Sequence, residues 1–445
     1  MNFRLDQLSA LLSLLNNPNL PREEIVAFQN RQLRRLIFHA YKNVPYYRRL
    51  FDQNGIKPND IQSVADLSLV PITSKKELQS LPVDEVVSCG VNPKHFIDHT
   101  TSGSSGEPIT IRRTWFEENL LALFRLRAAI NGCGLRIRDR QASIVLVRPT
   151  HSRDNQLPVR IIRSLGLLRK IYISCLLPLQ DILCTLRDLR PDVLTGFPGV
   201  ISQISQVISD DDREIIRPRI VIVGGEVLSP LMRAQITRAF AAPVFDFYAS
   251  HEFGLIAWEC KEAGELHICD DSVIVEVVRD GRSVTTGERG EIVGTNLHSF
   301  AMPFIRYRLG DIVTRGLESC RCGQPFSTIR AIQGRMLDYF PLPGGRAIHP
   351  YEIVLILIND AYSWIRQYQL IQDREDRIIL RVVPSTTPTI PEIVRLEDSV
   401  VALLGQSVEF QVILVREIQI EPEGKFRVSR SLVKSDYDRI DWGNM

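Results

Sequence analysis

Apolar residues recur at helical spacing along the first part of the chain. In the stretch QNRQLRRLIFHAYKNVPYYRRLFDQNGI, Leu33, Leu36, Ile37, Ala40 and Tyr41 share one face and arginines the other. That period predicts an amphipathic helix, which Asn43-Val44-Pro45 stops. Leu5, Leu8, Leu12 and Leu15 repeat the spacing at the amino end. With Asp6 early and no small-residue cleavage site following, this predicts a helix rather than a signal peptide. From residue 117 to 250 the pattern alternates. A helix near 117–132 is followed by a β-rich run at 142–147, a helix after Pro178, and short apolar strands in RPDVLTGFP and IRPRIVIVGGE. Strands separated by helices predict a parallel sheet covered on both faces, which binds ligands at the strand carboxyl ends. Residues 272–315 alternate with period two in VIVEVV, GEIVGTN and DIVTRG, with turns at Asp280-Gly281 and Gly287-Glu288, so a smaller antiparallel subdomain is expected there. Beyond Gly334-Arg335, a helix from Pro350, a charged turn at Asp373–Asp376, a helix near 391–404 and the strand VEFQVILV predict a separate α+β module of about a hundred residues. The expected fold class is therefore α/β: a large domain over 1–334 with a helix-covered parallel sheet and a β-rich subdomain, then a small α+β domain over 335–445.

Composition narrows the function classes. A chain of 445 residues is too long for one ordinary core. A net charge of +2 excludes a general electrostatic field for nucleic acid or membranes, and every long apolar run is broken by Arg, Asp or Gln before reaching the roughly eighteen residues of a membrane span. Eight cysteines do not make a disulfide scaffold at this length. Cys89, Cys133, Cys175 and Cys184 stand singly among apolar neighbours, which reads as buried free thiols in a reducing cytoplasm.

The candidate chemistry begins at Thr100-Thr101-Ser102-Gly103-Ser104-Ser105-Gly106-Glu107-Pro108. Glycines permit left-handed backbone and close approach, while successive N–H groups and hydroxyls donate to phosphate oxygens. The loop lacks the lysine of the G-x-x-x-x-G-K-[ST] motif, so that nucleotide-binding class does not apply. By itself it is also the composition of an ordinary surface loop. Further polar segments stand at wide intervals: Gly224-Gly225-Glu226 after a strand, Tyr248-Ala249-Ser250-His251-Glu252, Arg306-Tyr307-Arg308-Leu309-Gly310-Asp311, Gly334-Arg335 and Glu423-Gly424-Lys425.

In this order the segments resemble the core motifs of the adenylate-forming (AMP-binding) superfamily. RQLRRLIFHAYKNVPYYRRLFDQNGIKPNDIQSVADLSLVPITSKKEL and GERGEIVGTNL…MPFIRYRLGDIV are similar to its phenylacetate-CoA ligase-like branch, which includes CapK-type proteins and coenzyme F390 synthetase. The resemblance covers nearly the whole chain. It implies a large adenylating domain, a mobile carboxyl-terminal lid, and ATP-driven activation of a carboxylic acid. Thr101, Ser102, Gly103, Ser104, Ser105 and Gly106 would cradle the β- and γ-phosphates, and Glu252 would hold Mg²⁺. Tyr248 would lie near adenine or ribose, Gly225 and Glu226 beside adenine. Asp311 and Arg335 match ribose-binding residues, and Lys425 matches the lysine that bridges the reacting carboxylate and the α-phosphate, where a point charge suits developing negative charge.

The acceptor is left open. Coenzyme A would make the protein an acid–thiol ligase; a carrier protein, amine or sugar would make it a CapK-type transferase; a non-catalytic nucleotide-binding scaffold is a third class, which retention of Lys425, Glu252 and Asp311 argues against. A homodimer is compatible with the sequence. Cys260, His267, Cys320 and Cys322 suit a closed Cys₃His zinc site, with Cys269 a competing ligand, and the resemblance implies a structural metal there. The alternative is free cysteines plus a core histidine. Three departures from the family pattern stand out: Glu107 where many members have lysine, His251 where serine or threonine is usual, and Leu337 at the acidic hinge position. Phe197, Phe245 and Phe247 suit either pocket walls or core.

Overall fold

The computed structural model describes residues 16–90, 96–100, 109–146, 164, 166–335, 340–348, 350–360, 364–419 and 428–433. The expected helix at Leu5–Leu15, His349 and Leu337 lie outside them. The chain divides into two compact units, each made from two segments: Met1–Gly134 with Asp246–Ile332, and Leu135–Phe245 with Gln333–Met445.

In the first unit the arginine-lined stretch forms helix Arg22–Asn43, burying Ile25, Leu33, Leu36, Ile37 and Ala40. Val44 ends it with extended backbone, and Pro45 opens the next helix, Pro45–Gln53, at the one position where a missing N–H is harmless. Tyr47 on that second helix donates to the Pro303 carbonyl at 3.0 Å and accepts from the Ile305 N–H at 3.0 Å. Strands Val273–Arg279, Arg289–Asn296 and Tyr307–Arg315 pair antiparallel, as the period-two alternation predicts. Asp280 and Gly281 make the two-residue turn after the first of them, both with positive φ (51° and 74°), the mirror-image turn that suits strand twist. The rings of Phe253, Phe304 and Tyr307 pack against one another, tilted or edge-on.

One element was not anticipated: strands Phe96–Thr100 and Thr110–Thr114 form an antiparallel hairpin, Phe96 opposite Thr114 and Thr100 opposite Thr110. Residues 101–108 of the glycine-hydroxyl segment, which follow the first of these strands in sequence, lie outside the described residues. Helix Trp115–Cys133 starts immediately after the hairpin, capped reciprocally by Thr114 and Glu117 and closed by Gly134 with left-handed backbone.

In the second unit, Gln141–Val145, Lys170–Ser174, Val193–Gly196 and Ile220–Gly224 pair parallel. Helices Leu179–Leu189, Pro198–Val207 and Pro230–Phe240 pack on them around Ile144, Ile182, Leu186, Leu194, Ile201 and Val221. The carboxyl-terminal segment builds a four-stranded sheet from Ile365–Arg374, Arg377–Pro384, Glu409–Leu414 and Ser429–Ser431. Helices Pro350–Asp360 and Ile390–Leu404 cover its core of Ile353, Leu370, Ile378, Leu380, Leu396 and Val400. Gln206 and Gln235, from two of the helices packed on the parallel sheet, both donate to the Arg366 carbonyl, at 3.1 and 2.9 Å.

The cysteine expectation needs correction. Cys133 and Cys175 are buried, but Cys89 and Cys184 are exposed. Apolar neighbours in sequence do not bury a residue that falls at a loop or on the outward face of a helix. No helix among the described residues is long and apolar enough to cross a membrane.

Candidate active site and metal centre

Three of the widely spaced polar residues converge in the first unit. Strand Val244–Ser250 presents Tyr248, whose hydroxyl donates to Asp311 Oδ2. Both side chains are buried. Glu252 lies in the turn between Ser250 and strand Gly254–Glu259. Its Oε1 accepts from Tyr307 Oη at 3.4 Å, and its carbonyl accepts from Asn296 Nδ2 at 2.9 Å. Tyr307 and Asp311 share one strand, so the two carboxylates are tied through a single element.

Around them stand residues with other work. Arg306 has left-handed backbone (φ 45°), and its fork closes on both oxygens of Glu276 at 3.0 and 2.9 Å while Nη1 reaches the Val70 carbonyl at 2.6 Å. That arginine is spent on the fold. Arg308 pairs with Glu291 at 3.1 Å. Glu291 is buried, and burial pushes its carboxyl up to about 7; Asp311 adds to the shift and Arg308 opposes it.

Gly225 and Glu226 belong to the second unit. Gly225 has φ 83°, left-handed backbone that favours glycine, and a β-carbon there would lie 3.1 Å from the Phe197 ring, which would have to give slightly. Glu226 Oε2 accepts the Gly199 N–H at 2.9 Å, at the amino end of helix Pro198–Val207, where a negative charge is favoured. Phe197 is partly buried against the parallel-sheet core, and Phe245 and Phe247 are buried. Arg335 ends strand Thr328–Arg335. Residues 101–106 and Lys425 lie outside the described residues.

The cysteine–histidine set does converge. Ligand atoms of Cys260, His267, Cys320 and Cys322 all lie within 4.8 Å of one another. Cys260 follows strand Gly254–Glu259, and His267 sits on the adjacent strand Leu266–Ile268. The pairing of His267 with Thr328 carries the Cys320–Gly323 turn alongside. Cys260 Sγ is 3.9 Å from Cys320 Sγ, and Cys322 Sγ is 3.2 Å from His267 Nε2. A tetrahedral site with Zn–S bonds of about 2.3 Å needs sulfur–sulfur edges of roughly 3.8 Å, so the donors fit a zinc ion. Burial pushes the Cys322 thiol up to about 12, with the Cys320 and Cys260 thiols adding to it; a divalent cation reverses that sign. Burial also lowers His267, leaving the neutral imidazole that ligation needs. Cys269 is not part of this set. Its sulfur faces Arg127 Nη2 at 3.6 Å and Asp271 Oδ1 at 3.7 Å.

Comparison with known proteins agrees with this architecture. Residues 344–431 match the CapK C-terminal domain family. The chain is 26% identical over 385 residues to phenylacetate-coenzyme A ligase of Thermus thermophilus, spanning 80% of each protein. It is 24% identical over 425 residues to protein CapK of Staphylococcus aureus, spanning 92% of this chain and 90% of that one. The solved structure of 2-hydroxyisobutyryl-CoA ligase in the postadenylation state superposes with a TM-score of 0.78 at 21% identity, covering 94% of this chain and 91% of that one, which shows a shared fold. The resemblance to the phenylacetate-CoA ligase-like and CapK-type branch of the adenylate-forming superfamily is borne out.

Proposed function

We propose that this protein is an AMP-forming acid–thiol ligase that couples a small carboxylic acid to coenzyme A through an acyl-adenylate. The observation that carries the reading is the convergence of Tyr248, Asp311, Tyr307 and Glu252, distant in sequence and linked as two buried pairs, in a chain similar to phenylacetate-CoA ligases over 80% of its length.

In the first half-reaction a carboxylate oxygen attacks the α-phosphorus of ATP. The bond from that phosphorus to the β-bridging oxygen breaks, and pyrophosphate leaves with the electron pair. Little covalent work is asked of the protein, so positioning and charge neutralisation supply the rate. Residues 101–106 would hold the departing phosphates by backbone N–H and hydroxyl donors. Glu252 would bind Mg²⁺, which when present neutralises charge on the phosphate oxygens. Asp311 would accept from ribose hydroxyls, its orientation fixed by Tyr248, and Arg335 would serve the ribose as well; Gly225 and Glu226 would border adenine. Lys425, on a lid spanning 335–445, would bridge the carboxylate and the α-phosphate. In the second half-reaction the thiol sulfur attacks the acyl carbon, AMP leaves, and the thiol proton passes to solvent.

A second reading has its own support in the CapK C-terminal domain match and the CapK relative. In it the acyl group passes to a carrier protein, an amine or a sugar. A pyrophosphate-release screen over aryl, fatty and amino acids, run with and without coenzyme A, separates the two. Acyl-CoA formed in step with AMP supports the ligase; adenylate formation that coenzyme A leaves unconsumed selects the second reading. No release with any acid refutes both.

A further inference from the structure

Glu252 sits in a turn that is gripped through its backbone at two successive carbonyls. Asn296 holds the Glu252 carbonyl. The preceding one, of His251, accepts from Nη2 of Arg113. Arg113 belongs to the hairpin strand Thr110–Thr114, where Ile111 and Arg113 are the buried positions, and it is only 5% exposed. A hairpin has no local need for a cation there, since an apolar side chain would satisfy the pattern without desolvating a charge.

The guanidinium is oriented by its other arm. Nη1 donates to Glu118 Oε2 at 3.1 Å, and the same oxygen faces His99 Nε2 at 2.9 Å. Glu118 stands on the first turn of helix Trp115–Cys133, and His99 on the opposite hairpin strand. The His99 and His251 rings lie 6.1 Å apart and inclined at 30°. Against the penalty of burial, the hydrogen bond and charge of His99 and the charge of Arg113 hold the Glu118 carboxyl down at about 2, so it stays an anion. Nε of Arg113 has no partner among the described residues. An under-satisfied buried cation is a poor device for stability and a good one for geometry: only a planar fork reaches a carboxylate and a carbonyl at once.

We infer that Arg113 is the positioning residue for Glu252, with Glu118 and His99 fixing its angle, so that the hairpin and the Mg²⁺-binding turn hold one geometry. The inference rests on the magnesium role proposed above for Glu252. The attachment point is the backbone of His251, the residue that stands where serine or threonine is usual.

The test is calorimetric binding of α,β-methylene-ATP, which cannot be adenylated, to the full chain with magnesium and with EDTA. Wild type, Arg113→Ala, Arg113→Lys and Glu118→Gln are compared, with thermal melting alongside. Arg113→Ala should weaken binding of the magnesium complex by about 10-fold to 100-fold, the usual effect of losing a group that orients a metal ligand. Binding in EDTA should change far less. Arg113→Lys keeps the charge but not the fork, and should recover only part of the loss. Equal loss with and without magnesium, or unchanged affinity in folded variants, overturns the inference. Should Arg113→Ala fail to fold, Arg113→Lys and Glu118→Gln carry the same comparison. A wild type that binds the nucleotide identically with and without magnesium also overturns it. A wild type that shows the magnesium effect yet never releases pyrophosphate refutes only the proposed reaction.

Discussion

Glu291 stands opposite Ile312 in the paired strands and feels the charge of Asp311; the first is paired with Arg308 while the second takes the Tyr248 hydroxyl. The folded chain holds Glu291 at about 7 against an ordinary 4.5, chiefly through burial. Native protein therefore keeps a proton that the unfolded chain has released. Stability should fall as pH rises from about 4.5 to about 7 and level off above, by up to roughly 3 kcal/mol. Glu291→Gln removes the titration, so its melting temperature should vary less over that window; an unchanged pH profile would assign the slope elsewhere. At Lys425 the expectation concerns chemistry. Lys425→Ala should lower acid-dependent pyrophosphate exchange by at least about 100-fold while ATP binding persists, because its charge is needed as negative charge develops. Wild-type exchange in that variant would refute the role. Tyr248, Glu252 and Asp311 stood out in the sequence because they fall in polar segments whose order resembles the family's motifs, whereas Glu226 and Arg306 also serve the fold. Arg113 and Glu118 were not, since a cation on a strand and an acid in a helix's first turn look like solvated surface.

Elements were read well where one face is buried and the period is regular. Helix Arg22–Asn43 and the three antiparallel strands of 273–315 lie where the pattern places them. The hairpin of 96–114 escaped because its inward positions include Arg113, which breaks the apolar alternation. The cysteine–histidine set spans three elements, and its odd spacing follows from strand register: the pairing of His267 with Thr328 fixes which turn faces the imidazole. We expect elemental analysis to find about one zinc per chain and a strong chelator to lower the melting temperature. Metal-free protein of unchanged stability would refute a structural metal at these four side chains. Nearby, Arg127 closes on both oxygens of Asp271 at 2.6 and 2.8 Å, with its guanidinium stacked on Phe124 and Phe326. Breaking this buried pair by Arg127→Ala should cost about 3–5 kcal/mol in denaturant unfolding, since Asp271 is left charged and buried. A loss below about 1 kcal/mol would show that solvent reaches the site.

At the scale of the whole molecule, each compact unit joins two segments far apart in the chain. A lid over 335–445 that moves between half-reactions would have to release Gln206 and Gln235 from the Arg366 carbonyl, two hydrogen bonds that hold the carboxyl-terminal sheet to helices of the second unit. Limited proteolysis should cut near residues 334–339 faster after an acid and ATP are added, if that release accompanies turnover. By itself the sequence determined most element types outside the hairpin of 96–114, the mixed α/β class, the family resemblance and the residues able to do chemistry. Those follow from local periodicity and from residue type, which neighbours in the chain suffice to express. Only the tertiary structure decided that Tyr248 meets Asp311, that Cys269 turns to Arg127 instead of joining Cys260, His267, Cys320 and Cys322, and that Arg113 reaches the turn of Glu252. Each depends on strand register and burial, and a single step of register would send every one of those side chains to the opposite face.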